Sequence, residues 1–454
     1  MISSRAANLD PSSYLRKAIL VILGVLVVGM NSGFSKPIWI DEYLHFAFGA
    51  LTLGETLAVI RETTGSGVNW GQTGTYFLVS HFTGSFLGPS LWALRLPSIL
   101  SGLVLLAAGA WFMRCRGFGI RWQVFAVVTL ASQSTLMYFV REARPYLPMA
   151  ASVTAALAFL ATPAALRGQR LARALGWSGI VLGSILHPYW LPFVVAVAVF
   201  ALWVRAAEDV GHRIEVREFL CLPLLVPAVV LYLVMARLTW ANGTVTAVVA
   251  PLQFMGTFEN VARSIASTHL SALVSVSPLL AVLAFIALFG LALGPRSRLR
   301  LPVAMMVMGL TSSAALAALS YARSYWILQR QWVGGIALVG LGLAWVAAEL
   351  WSGEDPRFRG PQRALALVLV AVVGFGFAEE VRHRADAVQG HREVMADFQI
   401  NGETTREALA VDRDFVRAAN INSVAGGSIW REHAGYYGRG PQRRTGGLTC
   451  LEGQ

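Results

Sequence analysis

Stretches of about 17 to 25 predominantly apolar residues recur along this chain, each long enough as a helix to cross a hydrocarbon layer ~30 Å thick. In lipid a segment of that length must satisfy its own backbone hydrogen bonds, and a helix does so within one segment. Of the 454 residues 56% are hydrophobic and only 14% charged, against roughly a quarter charged in soluble domains. The sequence therefore predicts an all-α polytopic membrane protein.

Eleven spans are expected, near residues 17–34, 91–113, 121–140, 146–162, 172–187, 190–206, 218–237, 270–293, 301–322, 331–351 and 364–380. The first follows Arg16 and Lys17 without a small-residue cleavage site and reads as a retained anchor. The formal charge of +12 would point to nucleic acid in a soluble chain. Here the arginines fall in short loops instead: Arg114, Arg116 and Arg121; Arg167, Arg170 and Arg173; Arg296, Arg298 and Arg300; Arg357, Arg359 and Arg363. That is the positive-inside pattern, so the partner is the membrane and no nucleic acid is expected. With the N-terminus inside, all four clusters are cytoplasmic and the C-terminus is outside. Of the three cysteines, Cys115, Cys221 and Cys450, only Cys450 is then outside, so no internal disulfide is expected.

Residues 1–380 form the membrane module on this reading, and 381–454 a polar outer tail or small domain. Two large outer regions remain, 35–90 and 238–269. The short apolar stretch 74–89 lies within the first; counting it as a crossing would invert every later loop, so it is expected to be an interfacial, juxtamembrane helix. No repeat of fixed period is apparent. Asn242-Gly243-Thr244 matches a glycosylation sequon, which carries no meaning in a bacterial host.

Four outer-side clusters carry chemistry. Asp41 and Glu42 follow the first span; a carboxylate there can accept a proton from a hydroxyl and orient it for attack, and it can equally cap a helix N-terminus. Arg141-Glu142-Ala143-Arg144-Pro145-Tyr146 places two arginines outside, against the positive-inside trend. Their planar forks suit phosphate, while an Arg–Glu surface pair or snorkelling side chains would use the same residues. His187-Pro188-Tyr189-Trp190 makes a whole outer turn, suited to a proton carrier or a hydrogen-bond donor to phosphate, or simply to an aromatic interfacial belt. Tyr321 to Trp326 and Gln329-Arg330-Gln331-Trp332 repeat the theme of cation plus aromatic.

Taken in order, Asp41-Glu42, Leu94-Arg95-Leu96-Pro97-Ser98, Arg141 to Tyr146 and His187-Pro188-Tyr189 resemble the C-type superfamily of membrane glycosyltransferases. The likeness is to bacterial relatives of dolichyl-phosphate-mannose protein mannosyltransferases and of lipid A aminoarabinose transferases, over roughly the first 350 residues. It implies an inverting transferase with a polyprenyl-phosphate sugar as donor and a lipid, glycan or protein hydroxyl as acceptor. The expected setting is a bacterial inner membrane, with the site facing the periplasm or exterior. Asp41 would be the catalytic carboxylate with Glu42 beside it. Arg141, Arg144 and Tyr146 would line the donor phosphate site, joined by His187, Tyr189 and Arg330. The chain departs from the family at Trp70-Gly71-Gln72-Thr73-Gly74-Thr75, where a His-Pro-Pro-Leu-like stretch is usual, and at Gln329-Arg330-Gln331-Trp332, where Pro-Arg-Tyr is usual.

No cofactor is required by such a reaction, a divalent cation beside Asp41 and Glu42 is compatible with it, and no cluster has zinc-ligand spacing. Two other classes compete. A transporter or lipid flippase would place ionisable groups in mid-membrane, each costing roughly 3 kcal/mol there, and the cores of the ten later spans hold no Asp, Glu or Lys. An inert scaffold would tolerate Asp41→Asn, because Asn caps nearly as well as Asp but takes no proton.

Overall fold

The computed structural model describes residues 52–65, 74–88, 91–163, 169–187, 190–208, 225–241, 258–270, 278–293, 297–323, 332–353 and 359–399, with Val21, Ile22, Gly24 and His45 singly. Every regular element among them is a helix, as the apolar pattern predicts. Two short helices come first, α1 (Leu53–Gly65) and α2 (Thr75–Leu87). The bundle follows as α3 (Leu91–Cys115), α4 (Ile120–Ala131), α5 (Ser134–Val140), α6 (Tyr146–Leu160), α7 (Gln169–Leu186) and α8 (Leu191–Glu208). It continues with α9 (Val226–Ala241), α10 (Phe258–His269), α11 (Pro278–Leu293), α12 (Arg300–Arg323), α13 (Val333–Trp351) and α14 (Arg359–Gln399).

Among the described residues four helical stretches are long and apolar enough to cross a membrane: Ala93–Cys115, Arg300–Ala318, Val333–Trp351 and Arg359–Arg382. A fifth is possible only as a bent pair. The span expected over 121–140 is α4 and α5, which meet at 78°. The break has a local cause. Ser132 and Gln133 are buried polar residues, and their N–H groups turn back to Val128 and Leu130 carbonyls, closing α4 before α5 begins. α6 and α8 are apolar but shorter. The 15 residues of α6 reach about 22 Å at 1.5 Å each, so the expected crossing at 146–162 is brief.

α13 is buried along almost its whole length, packed against α12, α4, α6 and α14. α6 is the second core helix, clasped by α3 and α7. Small residues set these distances, as expected where helices associate by close packing in lipid. A Cβ on Gly179 of α7 would lie 2.7 Å from the Ser152 carbonyl oxygen of α6, and one on Gly309 of α12 would lie 2.6 Å from that of Gly335 of α13. Val226, Val230 and Leu233 on α9, and Ile286 and Leu293 on α11, are exposed, an apolar outside surface that suits lipid.

Two expectations about the outer regions gain definition. The stretch 74–89 is helix α2, 13 residues long and too short to span. Gly74 introduces it with a φ of 72°, and a Cβ there would come within 2.5 Å of Ile60 on α1, so glycine meets both demands. α1 opens on a capping box: the Glu55 carboxylate accepts from the Thr52 N–H at 2.8 Å, and the Glu55 N–H donates to Thr52 Oγ1 at 3.3 Å. The region 238–269 contributes the amphipathic α10. At the far end, α14 passes residue 381 without a break and continues to Gln399.

The bundle has two chemically different ends. At one, Arg114 lies over Trp111 and Arg363 over Trp351, and the Arg116 guanidinium donates to the Ala161 carbonyl at the C-terminus of α6. These belong to the basic loops that the sequence places inside. The other end gathers α2, the start of α3, residues 141–145 and His187.

Candidate active site

Proline at 145 and the end of α5 at Val140 leave residues 141–145 as a tight non-helical turn before α6 starts at Tyr146. Arg141 N–H still reaches the Tyr138 carbonyl at 3.1 Å, and Arg144 N–H reaches the Glu142 carbonyl at 2.9 Å. The turn thus places two arginines, three residues apart, at the same end of the bundle. The Arg141 guanidinium lies 6.0 Å from the Tyr138 ring centroid, and that of Arg144 lies 5.6 Å from Tyr146. Tyr138 also donates to the Glu142 carboxylate at 3.4 Å.

Arg144 and Glu142 are each 6% exposed and Tyr146 is 3%. Snorkelling or a surface ion pair, the alternatives weighed from sequence, would leave these heads in water. They are instead held in the protein. His187 is likewise buried at 2%, its ring 5.8 Å from that of Tyr146. The sequence-expected pair of clusters, 141–146 and 187, therefore meets across α6 and α7.

Two residues belong here that the sequence reading used only as part of a resemblance. Arg95 is 1% exposed, on the first turns of α3. Ser98, one turn further along the same helix face, donates to the Glu142 carbonyl at 2.6 Å. The signal for Arg95 was present: an arginine four residues into an apolar helix is costly in lipid unless it faces a polar interior. Helix α2 closes the side of this end. Tyr76 Oη lies 3.2 Å from Ser98 Oγ, and Thr75 Oγ1 donates to the Ile185 carbonyl at 3.2 Å, two residues before His187. His45 packs in the same wall, edge-on to Tyr76 at 4.9 Å between ring centroids, with its Nδ1 3.4 Å from Ser80 Oγ.

Asp41, Glu42, Tyr189 and Arg330 lie outside the described residues. What flanks two of them is defined: His45, three residues past Glu42, is fully buried, and Trp332, two past Arg330, is fully buried at the start of α13. Among the described residues no group of three or more His, Cys, Asp or Glu side chains gathers as a metal site.

Within this end, residues 91–146 supply three arginines, at 95, 141 and 144, to one carboxylate, at 142. Largely buried guanidiniums in that excess favour an anion, and guanidinium forks with flanking aromatic faces favour a phosphate bearing an organic group.

No family model matches the chain, and no curated protein matches it. Among solved structures it is similar to the crystal structure of ArnT from Cupriavidus metallidurans bound to undecaprenyl phosphate, with a TM-score of 0.43, 16% identity, and coverage of 90% of this chain and 73% of that one.

Proposed function

We propose that this chain is a C-type membrane glycosyltransferase that moves a sugar from a polyprenyl-phosphate donor to an acceptor hydroxyl at the outer face of the membrane. The observation that carries this reading is the gathering of buried Arg95 and Arg144 and half-buried Arg141, with buried Tyr146 and His187, at the end of the bundle opposite the basic loops. The donor is a phosphodiester with one negative charge, and the leaving polyprenyl phosphate carries up to two. Guanidiniums fixed before reaction therefore stabilise the transition state more than the bound donor, because the added charge appears only as the bond breaks.

Asp41 is the general base in this scheme. Its carboxylate takes the acceptor hydroxyl proton, the acceptor oxygen bonds to the anomeric carbon, and the carbon–oxygen bond to phosphate breaks, its electron pair leaving with the phosphate. A single displacement of this kind inverts the anomeric configuration. Glu42 neighbours Asp41 in the chain, and Tyr189 and Arg330 extend the donor phosphate set. A lipid phosphate leaves readily, so no cofactor is required; a divalent cation beside Asp41 and Glu42 would share the charge neutralisation with the arginines. The acceptor is a lipid, glycan or protein hydroxyl reached from the exterior of a bacterial inner membrane.

The test is transfer of labelled sugar from a polyprenyl-phosphate pool in membranes with matched levels of wild type, Asp41→Asn and Arg144→Ala. The expected losses are about 10²- to 10⁴-fold for Asp41→Asn and about 10²- to 10³-fold for Arg144→Ala. Normal transfer by Asp41→Asn would make Asp41 a helix cap and remove it from the mechanism.

A further inference from the structure

The Glu142 carbonyl is the point where the arginine turn is tied to the rest of the bundle. It accepts two hydrogen bonds, from the Arg144 N–H at 2.9 Å and from Ser98 Oγ at 2.6 Å. The first closes the turn on itself; the second anchors it to α3. Because the Ser98 proton is committed to that carbonyl, the 3.2 Å contact between Tyr76 Oη and Ser98 Oγ has the tyrosine as donor. The direction is therefore Tyr76 to Ser98 to Glu142, from α2 through α3 into the turn. Ser98 is fully buried and Tyr76 is 3% exposed, so water does not substitute for either bond.

Neighbouring groups hold the relay in register. A Cβ on Gly102, one turn past Ser98 on α3, would lie 3.1 Å from the Val140 side chain, immediately before Arg141. The absence of a side chain at 102 lets α3 come close enough for the Ser98 bond. At the other end, Ser80 donates to the Tyr76 carbonyl at 2.9 Å, and His45 packs edge-on against the Tyr76 ring.

We infer that Ser98 and Tyr76 are positioning residues for the arginine turn: Ser98 fixes Arg144 relative to α3, and Tyr76 couples that geometry to the first-loop helix α2. Neither hydroxyl touches a ligand in this role. Both act through the Glu142 carbonyl on where the guanidinium points. This rests on the reading of that turn as a phosphate site, and it adds a specific consequence. A segment of the first outer loop, on the side from which an acceptor would enter, is linked by two hydrogen bonds to the backbone of the turn that carries the arginines.

The test uses the purified full-length chain and two probes that share a lipid tail, undecaprenyl phosphate and undecaprenol. The wild type is expected to prefer the phosphate. Ser98→Ala removes the anchor and weakens undecaprenyl phosphate binding about tenfold, the worth of one buried hydrogen bond, leaving undecaprenol binding unchanged. Tyr76→Phe keeps the ring and its packing and weakens phosphate binding about threefold; Ser98→Thr restores the hydroxyl and returns binding to within about twofold of wild type. A dissociation constant is unaffected by the fraction of misfolded protein, so loss of fold does not imitate this pattern. If the wild type prefers the phosphate and both Ser98→Ala and Tyr76→Phe bind it normally, the relay does not position the turn. Equal weakening toward both lipids would mean that the hydroxyls serve packing alone and would overturn the proposal. If the wild type does not distinguish the two lipids, the phosphate-site reading fails, and the relay's role with it.

Discussion

Gly179 faces the Ser152 carbonyl oxygen and the Ala156 backbone nitrogen of α6, at 2.7 and 3.3 Å from where a Cβ would stand. Both neighbours are backbone, so nothing at the end of a flexible side chain can yield. Gly179→Ala should therefore separate α6 from α7 and cost about 1 to 3 kcal/mol, read as a lower unfolding temperature of the detergent-solubilised chain. Gly290, with open space around it, should accept alanine without that loss and serves as the control. The same residue-scale view separates what the sequence revealed of the site from what it did not. Arg141, Arg144 and Tyr146 are visible as charge and aromatic groups breaking an apolar run. Ser98 is not, because a serine in an apolar helix most often bonds to its own backbone, as Ser101 does to the Pro97 carbonyl at 2.7 Å. Its bond to Glu142, 44 positions away, exists only through the packing of α3 on the turn.

At the scale of elements, apolar length located nearly every described membrane helix, and the misses have physical causes. The 121–140 run has span length and composition, but hydropathy averages over Ser132 and Gln133, whose backbone groups end α4. The region 238–269 reads as a loop because α10 is amphipathic and short, not apolar. Its attachment is polar. His269 Nδ1 donates to the Ile265 carbonyl at 2.8 Å, leaving Nε2 to accept from the Ser313 hydroxyl of α12 at 2.8 Å, with the Trp332 ring 6.1 Å away. Burial holds the His269 pKa down to about 4, partly opposed by the Ile265 carbonyl. In an undocked or unfolded chain it would titrate near 6.5, so the released form binds more protons between pH 6.5 and 4. Docking of α10 is consequently full above pH 6.5 and weakens as pH falls through that window. Hydrogen exchange of α10 amides, corrected for intrinsic rates, should show protection declining by about 10²-fold between pH 6.5 and pH 4. His269→Gln should abolish the decline; an equal decline in that variant would mean that His269 is not the titrating group.

Among the described residues, arginines gather at two ends of the bundle. Arginines of the loops at one end stack on Trp111 and Trp351, where the positive-inside pattern expects cytoplasmic contacts. Arg95, Arg141 and Arg144 collect at the other end, where no such trend accounts for them. That the basic residues at 114–121 and 357–363 fall at one end of the bundle was legible because charge in short loops is a one-dimensional signal. That His187 joins the 141–146 turn was expected from the family resemblance; the bond from Ser98 of α3 into that turn was not legible, since it depends on how the helices pack. That convergence also bears on the competing class. A lipid flippase moves its cargo intact, whereas an arginine cluster confined to one end, next to a hydroxyl-rich α2 wall, suits breaking a bond at that face. Purified chain in proteoliposomes, supplied with a polyprenyl-phosphate sugar labelled in the sugar and with a membrane extract of acceptors, separates the two most directly. A transferase moves the labelled sugar from the lipid to an acceptor hydroxyl as a glycoside of inverted anomeric configuration and leaves free polyprenyl phosphate, and Arg144→Ala slows this about 10²- to 10³-fold. Label that reaches the opposite leaflet still joined to its polyprenyl phosphate, with no new glycoside formed, would contradict the account.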